Sequence, residues 1–436
     1  PGRPDRCAPG FEDRDSKADG RVRLLSDAYR EMIADLFPRS ASGFKFGLET
    51  MRALCAELGS PEHAYRCTVV AGTNGKGSSA AALADALRRS GRRVGLFTSP
   101  HLLRFSERFR VDGAELDAQT LLEIYRRVKT ADARCQRPAS FFELGTAMAL
   151  LAFADAGVDD AVLEVGLGGR LDATNVVPRA LSMITAVGMD HQVYLGDTLE
   201  AIAGEKAGII EPEVPVVMAP QAPAAERVIR ARALELGAEL HSVDFTAADD
   251  ESRAPHHWPL RLAAAIAARG ASVLGVADAA ISQMQHSERW HPPARYQWVE
   301  GHPPSLLDAS HNPQALNALC DSLLADPRLE GRPIHAVFNV LSDRPLAQLV
   351  STLALRLGDR LSSLGVPTLA TPRGADPMLA PGDVAVTAPN VETALARART
   401  LALRDRGIVL VAGSFQLLAD AVHRLTGEPR DPPVRG

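Results

Sequence analysis

The chain has 436 residues, of which 46% are hydrophobic and 23% are charged, so it can build two or three domain cores and is too apolar for a disordered protein. The 48 basic and 53 acidic residues give a net charge of -5, which excludes the strongly basic field of a nucleic-acid-binding protein. No apolar run reaches the roughly 18 residues that a membrane helix needs.

Two residue types are informative because they are scarce. The five cysteines are scattered and form no CxxC pair, which predicts a reduced, cytoplasmic protein. Only five of the 48 basic residues are lysine, among them Lys76 and Lys206. A lysine inside a motif of such a chain is therefore a candidate for chemistry that arginine cannot perform.

From residue 21 onward, short apolar runs alternate with segments of helical periodicity, which is typical of a parallel sheet covered by helices on both faces. The first twenty residues lack this pattern and are expected to form a flexible leader. The predicted strands cover residues 68–71, 93–98, 161–165, 181–186 and 214–219. The predicted helices cover residues 48–58, 77–90, 117–131, 142–156, 198–204 and 222–237.

The polar stretch of residues 286–294 contains two prolines and is the candidate linker between two domains. Beyond it, strands are predicted at residues 305–308, 334–340, 361–366, 383–387 and 408–412. Helices are predicted at residues 313–325, 346–356, 391–403 and 414–426. The expected organisation is a first α/β domain over residues 21–288 and a smaller α/β domain over residues 295–428.

A glycine-rich turn stands between the first predicted strand and the helix that follows it. Its residues are Gly72, Thr73, Asn74, Gly75, Lys76, Gly77 and Ser78. Glycines let a backbone wrap a phosphate at a helix N-terminus, where free N–H groups and the helix dipole favour anions. The lysine would reach the β- and γ-phosphates of a nucleotide, and the serine hydroxyl would face Mg²⁺. An ordinary strand-to-helix turn is the alternative, but a lysine at this place in a lysine-poor chain favours phosphate binding.

An extra glycine separates the lysine and the serine of the common Walker pattern. In this form, GTNGKGS, the turn resembles the ATP-binding loop of the folylpolyglutamate synthase and dihydrofolate synthase family, in the Mur ligase superfamily. Further blocks that resemble this family follow: FGLETM (46–51), FTSPHLLRFSERFRVDG (97–113), SFFELGT (140–146), LEVGLGGRLDATN (163–175), MDHQVYLG (189–196), GEKAGII (204–210), ARYQ (294–297), DASHNP (308–313) and AGSF (412–415). The resemblance implies a P-loop, Mur-ligase-like first domain with a mostly parallel sheet and a smaller, Rossmann-like second domain.

The resemblance also implies an activity, that of an ATP-dependent amide ligase of folate biosynthesis. ATP would phosphorylate a carboxylate of dihydropteroate or of a folate γ-glutamyl chain. L-glutamate would then attack the acyl phosphate, leaving ADP and phosphate. Closure of the two domains would keep water away from this intermediate. Two Mg²⁺ ions are implied, no nucleic-acid or membrane partner is expected, and the enzyme would be a cytoplasmic monomer.

The matched blocks place residues in roles. The resemblance assigns the glycine-rich turn, Arg295 and Asp308 to ATP. It assigns Ser99, Glu164 and His191 to metal, joined by Lys206 as a carbamylated ligand, a modification that arginine cannot undergo. Glu164 ends a predicted strand and His191 is expected at the end of another, where open α/β sheets present groups to ligands.

The remaining assignments concern catalysis and the two acceptor substrates. Lys76, Lys206 and His311 are implied in catalysis, and His311 with Ser414 in binding the incoming glutamate. The pteroate site is implied to involve Gly43, Phe44, Lys45, Phe46, Ser140, Phe141, Phe142, Glu143, Leu171, Asp172 and Ala173. The phenylalanines would stack on a pterin or benzoyl ring, although core packing is an equal alternative for each of them.

Three positions depart from the family pattern. The family usually has an asparagine at the start of the helix before the linker, where it contributes to nucleotide binding. Residues 256–270 of this chain contain no asparagine, which predicts weaker ATP binding. Ala294 replaces a usual glycine, and Arg344 replaces a lysine found in many relatives.

Two other functions stay open: a related ligase acting on a cell-wall or other peptide carboxylate, and a nucleotide-binding switch that has lost its chemistry.

Overall fold

The computed structural model describes residues 27–42, 47–245 and 257–432. The predicted leader, residues 1–20, lies outside this part of the chain, as do Gly43, Phe44, Lys45 and Phe46 of the predicted pteroate site. Among the described residues, every helix is too short or too polar to span a bilayer.

The first domain is built on a strand of apolar residues, β1 (Arg66–Ala71), in which every residue after Arg66 is buried. The other strands of its sheet are β2 (Val94–Phe97), β3 (Phe109–Val111), β4 (Ala114–Glu115), β5 (Asp160–Glu164), β6 (Leu181–Ile184), β7 (Val216–Met218) and β8 (Leu240–Ser242). Within the described residues the order is β4-β3-β2-β5-β1-β6-β7-β8, and only the β2–β3–β4 edge is antiparallel. A sheet buried on both faces needs helices on both sides.

Two sets of helices cover this sheet. The first-domain helices are α1 (Asp27–Leu36), α2 (Glu49–Glu57), α3 (Lys76–Arg89), α4 (Ala118–Asp132), α5 (Phe141–Ala156), α6 (Gln192–Leu195), α7 (Leu199–Ala207), α8 (Pro223–Glu235), α9 (Trp258–Val273) and α10 (Asp278–Gln285). Helices α3, α9 and α10 form one apolar cluster against the sheet, and α1, α2, α4, α5, α7 and α8 form the other. Burial of a single large side chain in these clusters, such as that of Phe153, contributes roughly 1.5–3 kcal/mol.

The second domain repeats this design on a smaller scale. Its strands are β9 (Gln297–Val299), β10 (Ser305–Asp308), β11 (Ile334–Asn339), β12 (Leu361–Pro367), β13 (Val386–Ala388) and β14 (Ile408–Gly413). Its helices are α11 (Pro313–Ala325), α12 (Leu346–Leu357), α13 (Val391–Asp405) and α14 (Phe415–Thr426). In the described residues the strand order is β13-β12-β11-β14-β10-β9, with β9 alone antiparallel to its neighbour.

The predicted α/β fold with mostly parallel sheets is confirmed. The two sheets lie on either side of residues 286–294, while the domain limits at residues 21–288 and 295–428 stay predictions. The candidate linker packs against the first domain. Trp290 is buried in the first-domain core, and its Nε1 donates to the Met284 carbonyl over 3.0 Å.

Candidate functional site

The glycine-rich turn follows β1 and leads directly into α3. Gly72 has a φ of +148°, and a Cβ there would lie 1.9 Å from the Thr185 hydroxyl of the neighbouring strand segment. Gly75, the residue before α3, has a φ of +88°. Both positions therefore require glycine, one for close approach and one for backbone conformation. The local sequence therefore determines the shape of the turn for steric reasons, and phosphate binding by it stays a prediction.

Hydrogen bonds join the turn to the segment after β6 and join the Lys76 side chain to two carbonyls of the turn. The Thr73 amide donates to the Ala186 carbonyl over 2.8 Å, and the Thr73 hydroxyl donates to the Gly188 carbonyl over 3.1 Å. Lys76 Nζ donates to the carbonyls of Gly72 and Thr73, each over 3.2 Å. Burial lowers the pKa of Lys76, although Glu164 opposes that shift. The ammonium is thus fixed inside the turn.

Glu164, the last residue of β5, lies beside the extra glycine of the turn. A Cβ at Gly77 would lie 3.1 Å from Glu164 Oε2, so the glycine leaves room for the carboxylate at the start of α3. The same oxygen accepts the Ser99 backbone N–H over 2.8 Å. Burial raises the pKa of Glu164, with Lys76 and the Ser99 hydrogen bond acting in the opposite direction. The structure thus brings two of the predicted metal ligands to the glycine-rich turn of residues 72–78. We call it the phosphate turn below, after its predicted ligand.

Lys206 reaches the turn from α7, on another part of the chain. It is 4% exposed, and its Nζ donates to the Gly72 carbonyl over 2.8 Å. Burial, with Lys76 as a further cause, lowers the pKa of Lys206 well below its ordinary value. Burial therefore favours the uncharged form of the Lys206 amine, which is its nucleophilic form.

His191 differs from its predicted position at the end of a strand. Strand β6 ends at Ile184, and His191 lies in the loop beyond it with a φ of 50°, immediately before α6. Arg344 Nη2 lies 3.2 Å from His191 Nε2 and also forms an ion pair with Asp190. Because guanidinium nitrogens only donate, Nε2 is the acceptor. Burial, with Lys76 as a further cause, lowers the pKa of His191 to about 4.

The complete predicted metal set stays a prediction. Within residues 27–42, 47–245 and 257–432, no group of three or more His, Cys, Asp or Glu side chains is arranged to hold a metal ion. Among the predicted ligands, Glu164 would supply carboxylate oxygens, and Ser78 and Ser99 would supply hydroxyl oxygens. Such hard donors suit Mg²⁺ or Mn²⁺.

The second domain contributes Arg295 and Asp308 near this edge of the first sheet. Asp308 is 2% exposed, and its Oδ2 accepts the Tyr296 N–H over 2.8 Å. The Arg295 guanidinium lies 4.9 Å from the Phe415 ring centroid. Burial lowers the pKa of Arg295, whereas the carboxylates of Asp308 and Glu164 raise it. Arg295 is therefore close enough to Glu164 for the two domains to share one electrostatic environment.

Direct hydrogen bonds join the phosphate turn to the second domain. Asn312 Nδ2 donates to Asn74 Oδ1 over 2.9 Å, and Asn74 Nδ2 donates to Gln314 Oε1 over 2.8 Å. Asn312 Nδ2 also lies 3.3 Å from Asp190 Oδ2. The domains are closed on each other at the turn.

A cavity of about 620 Å³ lies next to the turn and is walled by both domains. Its lining includes most of the remaining predicted site residues: Ser99, Ser140, Phe141, Phe142, Glu143, Leu171, Asp172, Ala173, His191, His311 and Ser414. Lys76, Glu164, Lys206, Arg295 and Asp308 lie outside that lining. The structure therefore places the predicted pteroate and glutamate residues around one chamber, with the predicted phosphate-binding groups beside it.

Several of these side chains also have local structural roles. Ser140 and Glu143 form the capping box of α5, in which Glu143 Oε2 accepts the Ser140 N–H over 2.8 Å. Asp172 accepts hydrogen bonds from three backbone amides and one hydroxyl of its own loop. Ser414 caps α14, accepting the Leu417 N–H over 3.3 Å. Part of the motif pattern therefore encodes local structure.

Sequence reasoning missed a buried cation in the cavity wall. Arg108 is 5% exposed, and its Nε donates to His101 Nδ1 over 2.9 Å. Its guanidinium lies 5.1 Å from the Phe141 ring centroid. Burial lowers the pKa of Arg108 to about 10, with Glu164 and Glu107 opposing the shift. The signal was present in FTSPHLLRFSERFRVDG (97–113), where only Ser99 was assigned a role.

His257 lies at the start of α9, in the segment where the family resemblance leads us to expect an asparagine and the chain has none. It is 4% exposed, stacks on the Tyr296 ring with centroids 4.7 Å apart, and lies 3.8 Å from Asp308 Oδ2 through its Nε2. Its Nδ1 is buried and has no hydrogen-bond partner among the described residues. Burial lowers the pKa of His257 to about 4, although Asp308 opposes the shift. The ring is therefore neutral at pH 7.

Comparison with known proteins gives relatives that cover most of the chain. A dihydrofolate synthase/folylpolyglutamate synthase of Bacillus subtilis is 33% identical over 359 residues, which are 75% of this chain and 83% of the relative. The protein of the same name from Escherichia coli is 35% identical over 344 residues, 76% of this chain and 79% of the relative. No family model matches the chain.

Solved structures agree with these relatives. Folylpolyglutamate synthase of Mycobacterium tuberculosis complexed with ADP and AMPPCP has a TM-score of 0.81 and 29% identity, covering 92% of this chain and 100% of that one. Escherichia coli FolC in complex with DHPP and ADP has a TM-score of 0.79 and 29% identity, covering 93% and 99%. The Yersinia pestis bifunctional enzyme complexed with AMPPNP and a Mn ion has a TM-score of 0.79 and 31% identity, covering 92% and 98%. Relatives of this similarity, matched over most of the chain, show that it belongs to the dihydrofolate synthase/folylpolyglutamate synthase family.

Proposed function

We propose that this protein is an ATP-dependent ligase that adds L-glutamate to dihydropteroate, to folate γ-glutamyl chains or to both, forming an acyl phosphate and releasing ADP and phosphate. The observation that carries the proposal is the convergence of Lys76, Glu164 and Lys206 on one phosphate turn. These groups stand beside a cavity between the two domains that is lined by aromatic and cationic side chains.

The turn would bind the phosphates of ATP. Its backbone N–H groups and the N-terminus of α3 favour the anion, and Lys76 would exchange its two carbonyl contacts for phosphate oxygens. Glu164, Ser78 and Ser99 are oxygen donors suited to a divalent ion, with His191 contributing a nitrogen. Bound there, Mg²⁺ would neutralise phosphate charge. A second ion is proposed near Lys206.

Lys206 is suited to carbamylation. An uncharged amine attacks CO₂, forming an N–C bond and losing a proton, so that a former cation becomes an anionic oxygen donor. Burial lowers the pKa of Lys206 and so favours the uncharged amine that this reaction needs. Its neighbour Lys76 would stabilise the resulting negative charge.

The cavity would hold the acceptor substrate between the domains. Phe141 and Phe142 offer ring faces to a pterin or benzoyl group, and Arg108 offers a buried cation to the carboxylate that is phosphorylated. His311 and Ser414, on the second-domain side, would bind the incoming glutamate. Arg295 and Asp308 would complete the nucleotide site. Closure through Asn74 and Asn312 excludes water from the acyl phosphate.

We further propose that the enzyme acts as a monomer in the cytoplasm. The described cysteines Cys55, Cys67, Cys135 and Cys320 are all free thiols, which fits a reducing compartment.

The substrate assignment is tested by measuring ADP formation with a panel of acceptors. We expect ADP release to require L-glutamate together with dihydropteroate, tetrahydrofolate or methylene-tetrahydrofolate, because the acyl phosphate forms only on a bound carboxylate. Turnover without stimulation by any of these acceptors contradicts the proposal. Activity on a UDP-linked peptide precursor would instead identify a cell-wall ligase.

The carbamate is tested by Lys206→Arg, with Lys129→Arg as the matched control. Arginine cannot be carbamylated, so we expect turnover to fall by more than about tenfold. Small carboxylates added to the assay should restore part of it. Lys129 is half exposed and pairs with Asp35, so its replacement should leave turnover unchanged. An unaltered rate in Lys206→Arg would exclude the carbamate.

The adenine side is tested by His257→Asn. Because the ring is neutral at pH 7, this substitution leaves the charge of the site unchanged. Asparagine is a strong helix N-cap, and it supplies the amide that the family resemblance implies for this helix start. We expect calorimetric titration to give roughly fivefold tighter ATP binding, the effect of about 1 kcal/mol from one new hydrogen bond. Equal affinity in the two proteins would show that the missing asparagine does not weaken nucleotide binding.

A further inference from the structure

The segment that follows the last helix returns to the first domain. Helix α14 ends at Thr426, and Gly427, with a φ of 74°, redirects the chain. The Asp431 backbone N–H then donates to the Leu103 carbonyl over 2.8 Å. Within this segment, Glu428 forms an ion pair with Arg104 of the loop after β2. Residues 428–432 therefore lie along the loop that follows β2.

The side chain of Asp431 makes two further contacts with the first domain. Its Oδ2 accepts the Phe105 N–H over 2.7 Å and the Tyr29 hydroxyl over 2.9 Å. Asp431 is 5% exposed, and its other oxygen, Oδ1, has no hydrogen-bond partner among the described residues. Burial raises the pKa of this carboxyl, which the Phe105 and Tyr29 hydrogen bonds oppose. One oxygen atom thus ties together helix α1 and the loop after β2.

That loop is shared between the domains. Leu102 and Leu103 are buried in an apolar cluster otherwise formed by second-domain residues, including Leu417 and Leu418. The Glu107 carboxylate accepts the backbone N–H groups of residues 102–104 at 2.7 to 2.9 Å. The loop is therefore internally rigid, and its placement depends on what it is attached to.

The two ends of this loop face the substrate cavity. His101 and Arg108 both line it and are joined by a hydrogen bond of 2.9 Å. Asp431 lines the same cavity, beside Arg430 and Pro432. A rigid loop that is held at Phe105 fixes the position of both ends at once.

We propose that Asp431 is a positioning residue for the substrate end of the active site, holding residues 101–108 so that His101 and Arg108 face the cavity. Asp431 acts through the loop and makes no contact with the phosphate turn. Its loss should therefore weaken binding of the pteroate substrate while leaving ATP binding unchanged. The identity of that substrate rests on the proposed function.

Steady-state kinetics of Asp431→Ala and Asp431→Asn test this role. Loss of both hydrogen bonds in Asp431→Ala should raise the KM for dihydropteroate roughly tenfold, with the KM for ATP unchanged. An amide oxygen in place of Oδ2 can accept both bonds, so Asp431→Asn should recover most of the wild-type KM. Tyr29→Phe removes one donor and should raise the same KM by a smaller factor. Glu392→Gln, an exposed change on α13 at a residue that pairs with Arg424, is the matched control and should have no effect.

Two results would overturn the proposal. One is an Asp431→Ala variant with an unchanged KM for dihydropteroate, and the other is an equal rise in both KM values, which would show that Asp431 does not act on the pteroate side alone. If Asp431→Ala does not fold, the Tyr29→Phe result decides between the same outcomes. Hydrogen exchange at the Phe105 amide, measured without substrate, should be faster in Asp431→Ala. That measurement separates failure of this inference from failure of the proposed function, since it needs no turnover.

Discussion

The active-site arrangement depends on a buried carboxylate placed against a cationic phosphate turn. Glu164 lies at the end of a strand, where water is excluded, and its charge is balanced by Lys76 and by the Ser99 amide. The glycine at position 77 permits this approach, since any side chain there would meet the carboxylate. A site of this kind is costly to bury without a ligand and well suited to a metal-bound polyphosphate.

The second domain completes the site through contacts that involve few residues. Asn312 and Gln314 bind the turn directly at Asn74, and Arg344 binds Asp190 and His191 on the adjacent loop. Each of these pairs would be lost if the domains separated. In the proposed function, binding of substrates, exclusion of water and alignment of the reacting groups would therefore depend on the same interdomain contacts.

Much of this arrangement could be predicted from local sequence. The central strands are continuous apolar runs, and the phosphate turn carries its own steric requirements at Gly72 and Gly75, so both are visible without tertiary information. The β3–β4 hairpin and α1 were missed because their short segments carry little periodicity. His191 was misplaced because a long loop separates it from the strand before it. Arg108 and Asp431 were missed for another reason, since their contacts join residues far apart in the chain.

The central claim is that Glu164 makes nucleotide binding depend on a divalent ion, and calorimetry tests it directly. A non-hydrolysable ATP analogue would be titrated into the wild type and into Glu164→Gln, with and without Mg²⁺. We predict that Mg²⁺ strengthens binding to the wild type by at least about tenfold and has little effect on the variant, whose amide is a weaker ion ligand. An equal Mg²⁺ effect in both proteins would contradict the account.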